Sequence, residues 1–337
     1  MKIKVIELKK ALETVKPGLS TLEVIEQSTS FAFINGNVVT YNDEISVMHP
    51  VALDITGAVK ADLLLKYLGK IKTEEVDVEV SETELIVKSG RATSGFAFTP
   101  EVTLPLDEEL SKKGKWKTLP EEFLEYLKMA SYSCAKELSD PKITCVHVNK
   151  NYIESTNNFS VSRYTLNTEV PIDPFLLPAS SVSVVVSNKP TKITSGKGWV
   201  HFKNKENTIV SCRIFEDTFV DIEKVITNAK KGVGISLPDN LKDVLDKALV
   251  FVEKQNVLNE EIVVAITKKN IEISCESETG WFKETIRNKS ENEFSIRVAP
   301  SLLKIIVGKT NKCYYLEKNH LLYFDENNWK YITALKR

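Results

Sequence analysis

The chain has 337 residues, with 45 Lys and Arg against 46 Asp and Glu and a formal charge of −1, a balance that excludes a protein held on nucleic acid by bulk positive charge. At 42% hydrophobic and 27% charged residues, with only 13 Gly and 12 Pro, it is neither disordered nor fibrous. No apolar run reaches the roughly 18 residues a membrane span needs, and the opening Met1-Lys2-Ile3-Lys4 lacks an apolar signal core, so the expected location is the cytoplasm, with no membrane partner.

In chain order, a short strand leads into a first helix carrying Lys9, Lys10 and Lys16, and a second helix over 59–70 carries Lys60, Lys66 and Lys70. Alternation of Val76, Val78 and Val80 with Asp77 and Glu79 predicts a strand, followed by strands over 85–88 and 95–98 around Ser89-Gly90. Thr118 reads as the N-cap of a third helix over 119–136, with Pro120 in its first turn. Phe123, Leu127, Ala130 and Cys134 form its buried face, and Lys128 and Lys136 lie on its polar side. Asn149-Lys150-Asn151 reads as a hairpin turn, and a fourth helix near 178–186 is poor in charge. Ser195-Gly196-Lys197-Gly198 lacks the full phosphate-loop pattern and sits between strands, so a turn is expected there as well. Ser236 repeats the cap, and Leu241, Leu245, Ala248 and Val252 repeat the buried face in a fifth helix bearing Lys242 and Lys247. After a turn at Lys268-Lys269-Asn270, a sixth helix over 298–309 carries Lys304 and Lys309, and Lys318-Asn319 marks the last turn.

These elements recur. The stretch from Thr118 to Lys128 returns as Ser236 to Asp246, displaced by 118 residues, and the stretch from Val59 to Lys70 returns as Val298 to Lys309, displaced by 239, close to twice as far. Two landmarks therefore agree on three repeats, expected as domains over 1–114, 115–232 and 233–337. Each has an α+β plan of two helices and six to eight strands.

Chemistry-bearing patterns are sparse. His49, His147, His201 and His320 stand apart, and the five cysteines show no C-x-x-C pair. No G-x-S-x-G, H-E-x-x-H or D-x-D-x-D-G occurs. The expectation is a scaffold rather than an enzyme, with no cofactor and no metal.

Specific residues on this repeat resemble the bacterial β sliding clamp, the processivity subunit of the replicative DNA polymerase. Leu85-Ile86-Val87-Lys88-Ser89-Gly90-Arg91 matches that family's L-x-V-x-S-G-R hairpin, and Phe215 to Ile226 is similar to its G-x-F-P-D-Y-x-x-V stretch. Tyr331 to Arg337 resembles its Y-x-x-x-P-M-R-L tail. The chain departs at Thr156-Asn157-Asn158-Phe159-Ser160-Val161, where the family writes T-D-G-x-R-L, and at Phe219-Val220-Asp221, where it writes F-P-D. These departures and the near-neutral charge mark a divergent clamp, expected on a viral or plasmid replicon.

The resemblance implies three clamp-type domains per chain and a head-to-tail homodimeric ring, with sheets outside and helices lining the hole. It implies a ring encircling double-stranded DNA without reading sequence, the lysines named above facing the DNA. It also implies a pocket for short hydrophobic peptides of the polymerase and the clamp loader. By matching segment, that pocket would draw on Ile143, Thr156, Asn158, Phe159, Ser160, Val161, Val220, Lys224, Val225, Leu321, Ile332, Ala334 and Leu335. Apolar members such as Ile143 and Val225 read equally well as strand core. The alternative is a clamp-like adaptor that keeps the pocket and closes no ring.

Overall fold

The computed structural model describes residues 1–106, 115–136, 140–228, 232–252, 261–316 and 320–334. The chain forms two compact units, Met1–Leu119 with Ser183–Ile214, and Pro120–Val182 with Phe215–Arg337.

The first unit is built on one antiparallel sheet of twelve strands. Their order is Lys2–Lys4, Glu75–Val80, Glu84–Ser89, Ala92–Thr99, Gly57–Lys60, Ser30–Ile34, Asn37–Tyr41, Ile45–Pro50, Ile209–Arg213, Trp199–Lys203, Lys192–Gly196 and Lys117–Thr118. The second unit holds an eight-stranded sheet, in the order Phe175–Pro178, Cys145–Val148, Tyr152–Thr156, Ser160–Thr165, Trp329–Ala334, Leu321–Glu326, Lys312–Leu316 and Val233–Ser236. It also holds a four-stranded sheet of Gly280–Arg287, Asn270–Ser277, Ile262–Ile266 and Phe294–Val298. Among the described residues, 1–114, 115–232 and 233–337 contain eight strands each.

Two strand pairs join distant parts of the sequence. Ile45–Pro50 pairs with Ile209–Arg213, from Met48↔Ile209 to Ile45↔Cys212, and Ser160–Thr165 pairs with Trp329–Ala334, from Ser160↔Thr333 to Tyr164↔Trp329. Each join links the last strand of one four-strand set to the last strand of another. Two last strands remain: Gly280–Arg287, which ends its sheet, and Ala92–Thr99, whose residues 92–97 pair on one side only.

The helices are α1 (Val5–Val15), α2 (Ala61–Leu68), α3 (Phe123–Ser131), α4 (Ala179–Ser187), α5 (Glu223–Asn228), α6 (Leu241–Ala248) and α7 (Pro300–Val307). Six overlap the helices read from the sequence, and α5 is an addition. In α1, Leu8, Leu12 and Val15 are buried, and the helix packs on the strands Asn37–Tyr41 and Ile45–Pro50. The apolar faces read for the third and fifth helices are buried throughout: Phe123, Leu127, Ala130 and Cys134, then Leu241, Leu245, Ala248 and Val252.

The helix starts differ from expectation. Thr118 and Ser236 lie in strands, not at N-caps. In both repeats the prolines make a turn first, with the Pro120 carbonyl accepting from Phe123 N–H at 3.2 Å and the Pro238 carbonyl from Leu241 N–H at 3.1 Å. Proline disfavours helical backbone at the residue before it, so Leu119 and Leu237 stay extended and the helix begins later. The α3 helix also ends at Ser131, and Lys136 lies beyond it rather than on its polar side. Ser131, Tyr132, Ser133 and Cys134 are middling helix formers, and the Ser131 hydroxyl turns back onto the Lys128 carbonyl at 2.7 Å. Among the described residues, no helix is long and apolar enough to cross a membrane.

Candidate functional sites

The first site grows from the turn after Tyr152–Thr156. Asn157 Oδ1 accepts from Phe159 N–H at 3.0 Å, Ser160 N–H at 2.7 Å and the Ser160 hydroxyl at 3.1 Å. Asn158 takes the left-handed conformation at φ 69°. Asn tolerates this region better than other residues with a Cβ. The turn leaves Phe159 exposed at 75%, while its carbonyl accepts from Ala334 N–H at 2.7 Å and so extends the join to the last strand.

Behind this turn lies an apolar cluster of Val161, Ile222, Ile226, Leu316, Tyr323 and Ile332, with Phe219, Val220, Tyr314 and Leu321 half-buried against it. Tyr314 stacks on Tyr323 at 4.9 Å. Four of the pocket residues named from sequence meet here: Val161 and Ile332 inside, Val220 and Leu321 at the rim. Thr156 and Ser160 are buried in the turn, where the Thr156 hydroxyl donates to the Ser160 carbonyl at 2.8 Å. Lys224 and Val225 are exposed on α5, next to buried Ile226, and Ala334 is half-buried. Ile143 is not a member of the cluster. It is buried at 4% in the short 3-10 turn Pro141–Thr144. Leu335 lies outside the described residues. Ile222 and Ile226 were missed, although their four-residue spacing beside Phe219 is a helical apolar signal.

A polar row flanks the cluster. The strand register places His147, Glu154 and Arg163 side by side. Glu154, exposed at only 3%, accepts from Arg163 Nε at 2.7 Å and bonds His147 Nδ1 at 2.8 Å, and Arg163 Nη1 reaches Glu223 on α5 at 2.6 Å. Burial works against the guanidinium charge, but Glu223 and Glu154 outweigh it and hold Arg163 above its ordinary pKa. His147 stacks on Phe219 at 4.9 Å. The row thus braces α5 and the rim against the sheet.

The second site is a set of lysines on and beside the helices: contrary to expectation, Lys16 follows α1, Lys60 ends the strand before α2, Lys70 follows α2 and Lys309 follows α7. In the second unit, α3, α6 and α7 enclose a recess of about 420 Å³ whose lining includes Lys128, Lys242, Lys304 and Lys309. Lys304 pairs with Asp246, and Lys309 with Glu125 at 2.7 Å; Lys128 and Lys242 make no ion pair among the described residues. In the first unit, Lys10 pairs with Glu206 at 2.9 Å, Lys16 with Glu13 at 3.5 Å, Lys66 with Asp62 at 2.7 Å, and Lys60 with Glu23. Lys247 pairs with Glu284 at 2.9 Å. Lys9, Lys70 and Lys136 make no ion pair among the described residues. Acidic side chains are therefore interleaved with the helix lysines rather than kept apart from them. The α4 helix carries no charged residue, as its sequence implies. Among the described residues, no group of three or more His, Cys, Asp or Glu could hold a metal ion.

No protein-family model and no curated protein sequence matches the chain. Solved structures do. The DNA polymerase III subunit beta of Pseudomonas aeruginosa is 15% identical with a TM-score of 0.74, covering 100% of this chain and 99% of its own. The DNA polymerase sliding clamp of Bacillus subtilis is 16% identical with a TM-score of 0.74, covering 100% and 98%. A sliding clamp of Bartonella birtlesii, bound to griselimycin, is 13% identical with a TM-score of 0.76, covering 100% and 99%. Over its whole length, the chain has the fold of the bacterial DNA polymerase III β sliding clamps.

Proposed function

We propose that the chain is a DNA sliding clamp: a homodimeric ring of three clamp domains per chain that encircles duplex DNA and tethers a polymerase and its loader through short hydrophobic peptides. One observation carries the reading. Two joins within the chain use up four last strands, and the two left over, Ala92–Thr99 and Gly280–Arg287, belong to the first and last thirds. Pairing one chain's Gly280–Arg287 with the other's Ala92–Thr99 repeats the same join and closes a ring of two chains. Val250 at 73% and Trp281 at 70% exposure, beside stacked Phe251 and Phe282, supply apolar surface for that contact.

In this reading the helix lysines touch phosphates as hydrated point charges, which hold DNA without reading bases. The Val161–Ile332 cluster and its rim of Phe219, Val220, Tyr314 and Leu321, with exposed Val225 nearby on α5, take the peptide anchors, where a few apolar side chains carry most of the energy. Partner proteins would supply all catalysis. The test is solution mass followed by retention on DNA with a clamp loader. A dimer weighs about 76 kDa, twice 38.0 kDa, stays on nicked circles and slides off linear ends. A monomer, or equal retention on both DNAs, refutes the ring.

A further inference from the structure

Away from the helices, the four-stranded sheet of the second unit ends in two neighbouring connections, one joining Ile262–Ile266 to Asn270–Ser277 and the other joining Gly280–Arg287 to Phe294–Val298. Asn270 pairs in register with Arg287, Asn288 N–H donates to the Lys269 carbonyl at 2.8 Å, and Ser290 N–H to the Lys268 carbonyl at 3.2 Å. Backbone pairing thus brings Lys268, Lys269, Arg287 and Lys289 around one recess of about 570 Å³, completed by Asn270 and Asn288.

We propose that this recess is a second nucleic-acid contact, distinct from the lysine-bearing helices, that takes the sugar-phosphate backbone of DNA. Its lining holds four cations and two amides, with no carboxylate and no apolar side chain. None of the four cations makes an ion pair among the described residues. Elsewhere in this sheet, by contrast, Lys283 meets Glu272 at 2.8 Å and Arg297 meets Glu261 at 2.7 Å. The nearest acid placed by a hydrogen bond is Glu293, which accepts from Lys268 N–H at 3.3 Å, and Glu291 lies in the same connection. Four unpaired cations at one recess repel one another until a polyanion supplies counter-charge. Peptide docking needs buried apolar or aromatic anchors, which this lining lacks. Cations and amides suit phosphate oxygens, and contacts of that kind are blind to sequence. No residue is shared with the recess between α3, α6 and α7, so the inference does not depend on ring closure.

The experiment titrates a short labelled linear duplex with the full chain at several salt concentrations, comparing wild type with Lys268→Gln/Lys269→Gln/Lys289→Gln. These exposed side chains can be changed without disturbing the core. Each lost phosphate contact lowers the slope of log affinity against log salt by roughly 0.9, so a fall of about 2–3 is expected, with at least about tenfold weaker binding at low salt. An unchanged slope in the triple variant, or no binding of the duplex by wild type, overturns the proposal. Displacement of the duplex by polyglutamate as effectively as by unlabelled DNA of equal charge overturns the nucleic-acid assignment. Retention of wild type on nicked circles is read separately: its loss would sink the ring and leave this result standing.

Discussion

Val225 and Ile143 share one double reading from sequence, core or pocket, and the structure separates them into opposite predictions. Val225 is 38% exposed on α5, beside an apolar cluster, whereas Ile143 is 4% exposed and lies outside that cluster. Truncating Val225 to Ala removes two methyl groups, each worth about 0.8 kcal/mol when fully buried. Because much of this side chain is already covered, a docking peptide would gain about 1 kcal/mol from it, so Val225→Ala should weaken peptide binding about fivefold. Stability should stay within about 0.5 kcal/mol, as for other exposed positions. Ile143→Ala should do the reverse. It opens a cavity costing about 2–5 kcal/mol and leaves affinity unchanged at temperatures where the variant is folded. The assay is a fluorescence-anisotropy titration with a labelled peptide carrying leucine and phenylalanine anchors, paired with urea unfolding of each variant. Equal peptide affinity for wild type and Val225→Ala would refute the pocket. So would an affinity loss in Ile143→Ala as large as that in Val225→Ala.

Asn158→Gly should be nearly neutral and Asn158→Val should cost about 1–2 kcal/mol, read as a shift in urea midpoint, because φ 69° is open to Gly and strained for a β-branched residue. Glu154→Gln should cost about 2–3 kcal/mol in the same assay, less than a fully severed buried pair because Arg163 keeps Glu223. His49 is buried against Thr208 at 2.9 Å, and burial lowers its pKa from 6.5, so the unfolded chain binds its proton more readily. Stability should therefore be complete above pH 6.5 and fall as pH drops below it, in thermal melts between about pH 7 and 5, and His49→Asn should flatten that fall. Asp246→Asn with Glu125→Gln frees Lys304 and Lys309, and should tighten binding to linear duplex about two- to fivefold with a steeper salt slope.

The apolar faces of α3 and α6 were legible because a buried helix face must repeat every three to four residues, and Leu127 and Leu245 keep that period whatever surrounds them. The helix starts were not, because an N-cap signal at Thr118 competes with the proline two residues on, and the strand partners that hold Lys117 and Thr118 extended lie far along the chain at Ile193 and Lys192. The apolar cluster behind the 157–160 turn was half legible for a similar reason. Val161 and Ile332 stand opposite each other only because Ser160–Thr165 pairs with a strand more than 160 residues later, and resemblance rather than spacing pointed to both. The His147–Glu154–Arg163 row follows from the same kind of cross-strand register, which no local pattern announces. Asn158 departs from the glycine of the resembling motif, yet its left-handed φ of 69° is one that Asn, like Gly, can adopt.

The lysines give a different lesson about net charge. A near-neutral chain can present a positive surface in two ways: by moving its acids elsewhere, or by pairing most cations and leaving a few free. On and beside its helices this chain does the second, with Lys10, Lys16, Lys60, Lys66, Lys247, Lys304 and Lys309 each matched to a carboxylate. An exposed ion pair is worth little in itself, so the pairing is weak evidence of stabilisation. Its larger effect is on anything that approaches: a paired lysine must be shared or released before it meets a phosphate, which makes each contact shallow. Shallow, sequence-blind contacts are what a ring needs if enclosure does the holding and the DNA is to slide. The unpaired cations at Lys268, Lys269, Arg287 and Lys289 break that pattern, and a grip at one recess off the helices would act on DNA as a brake or a guide where the helices act as a bearing.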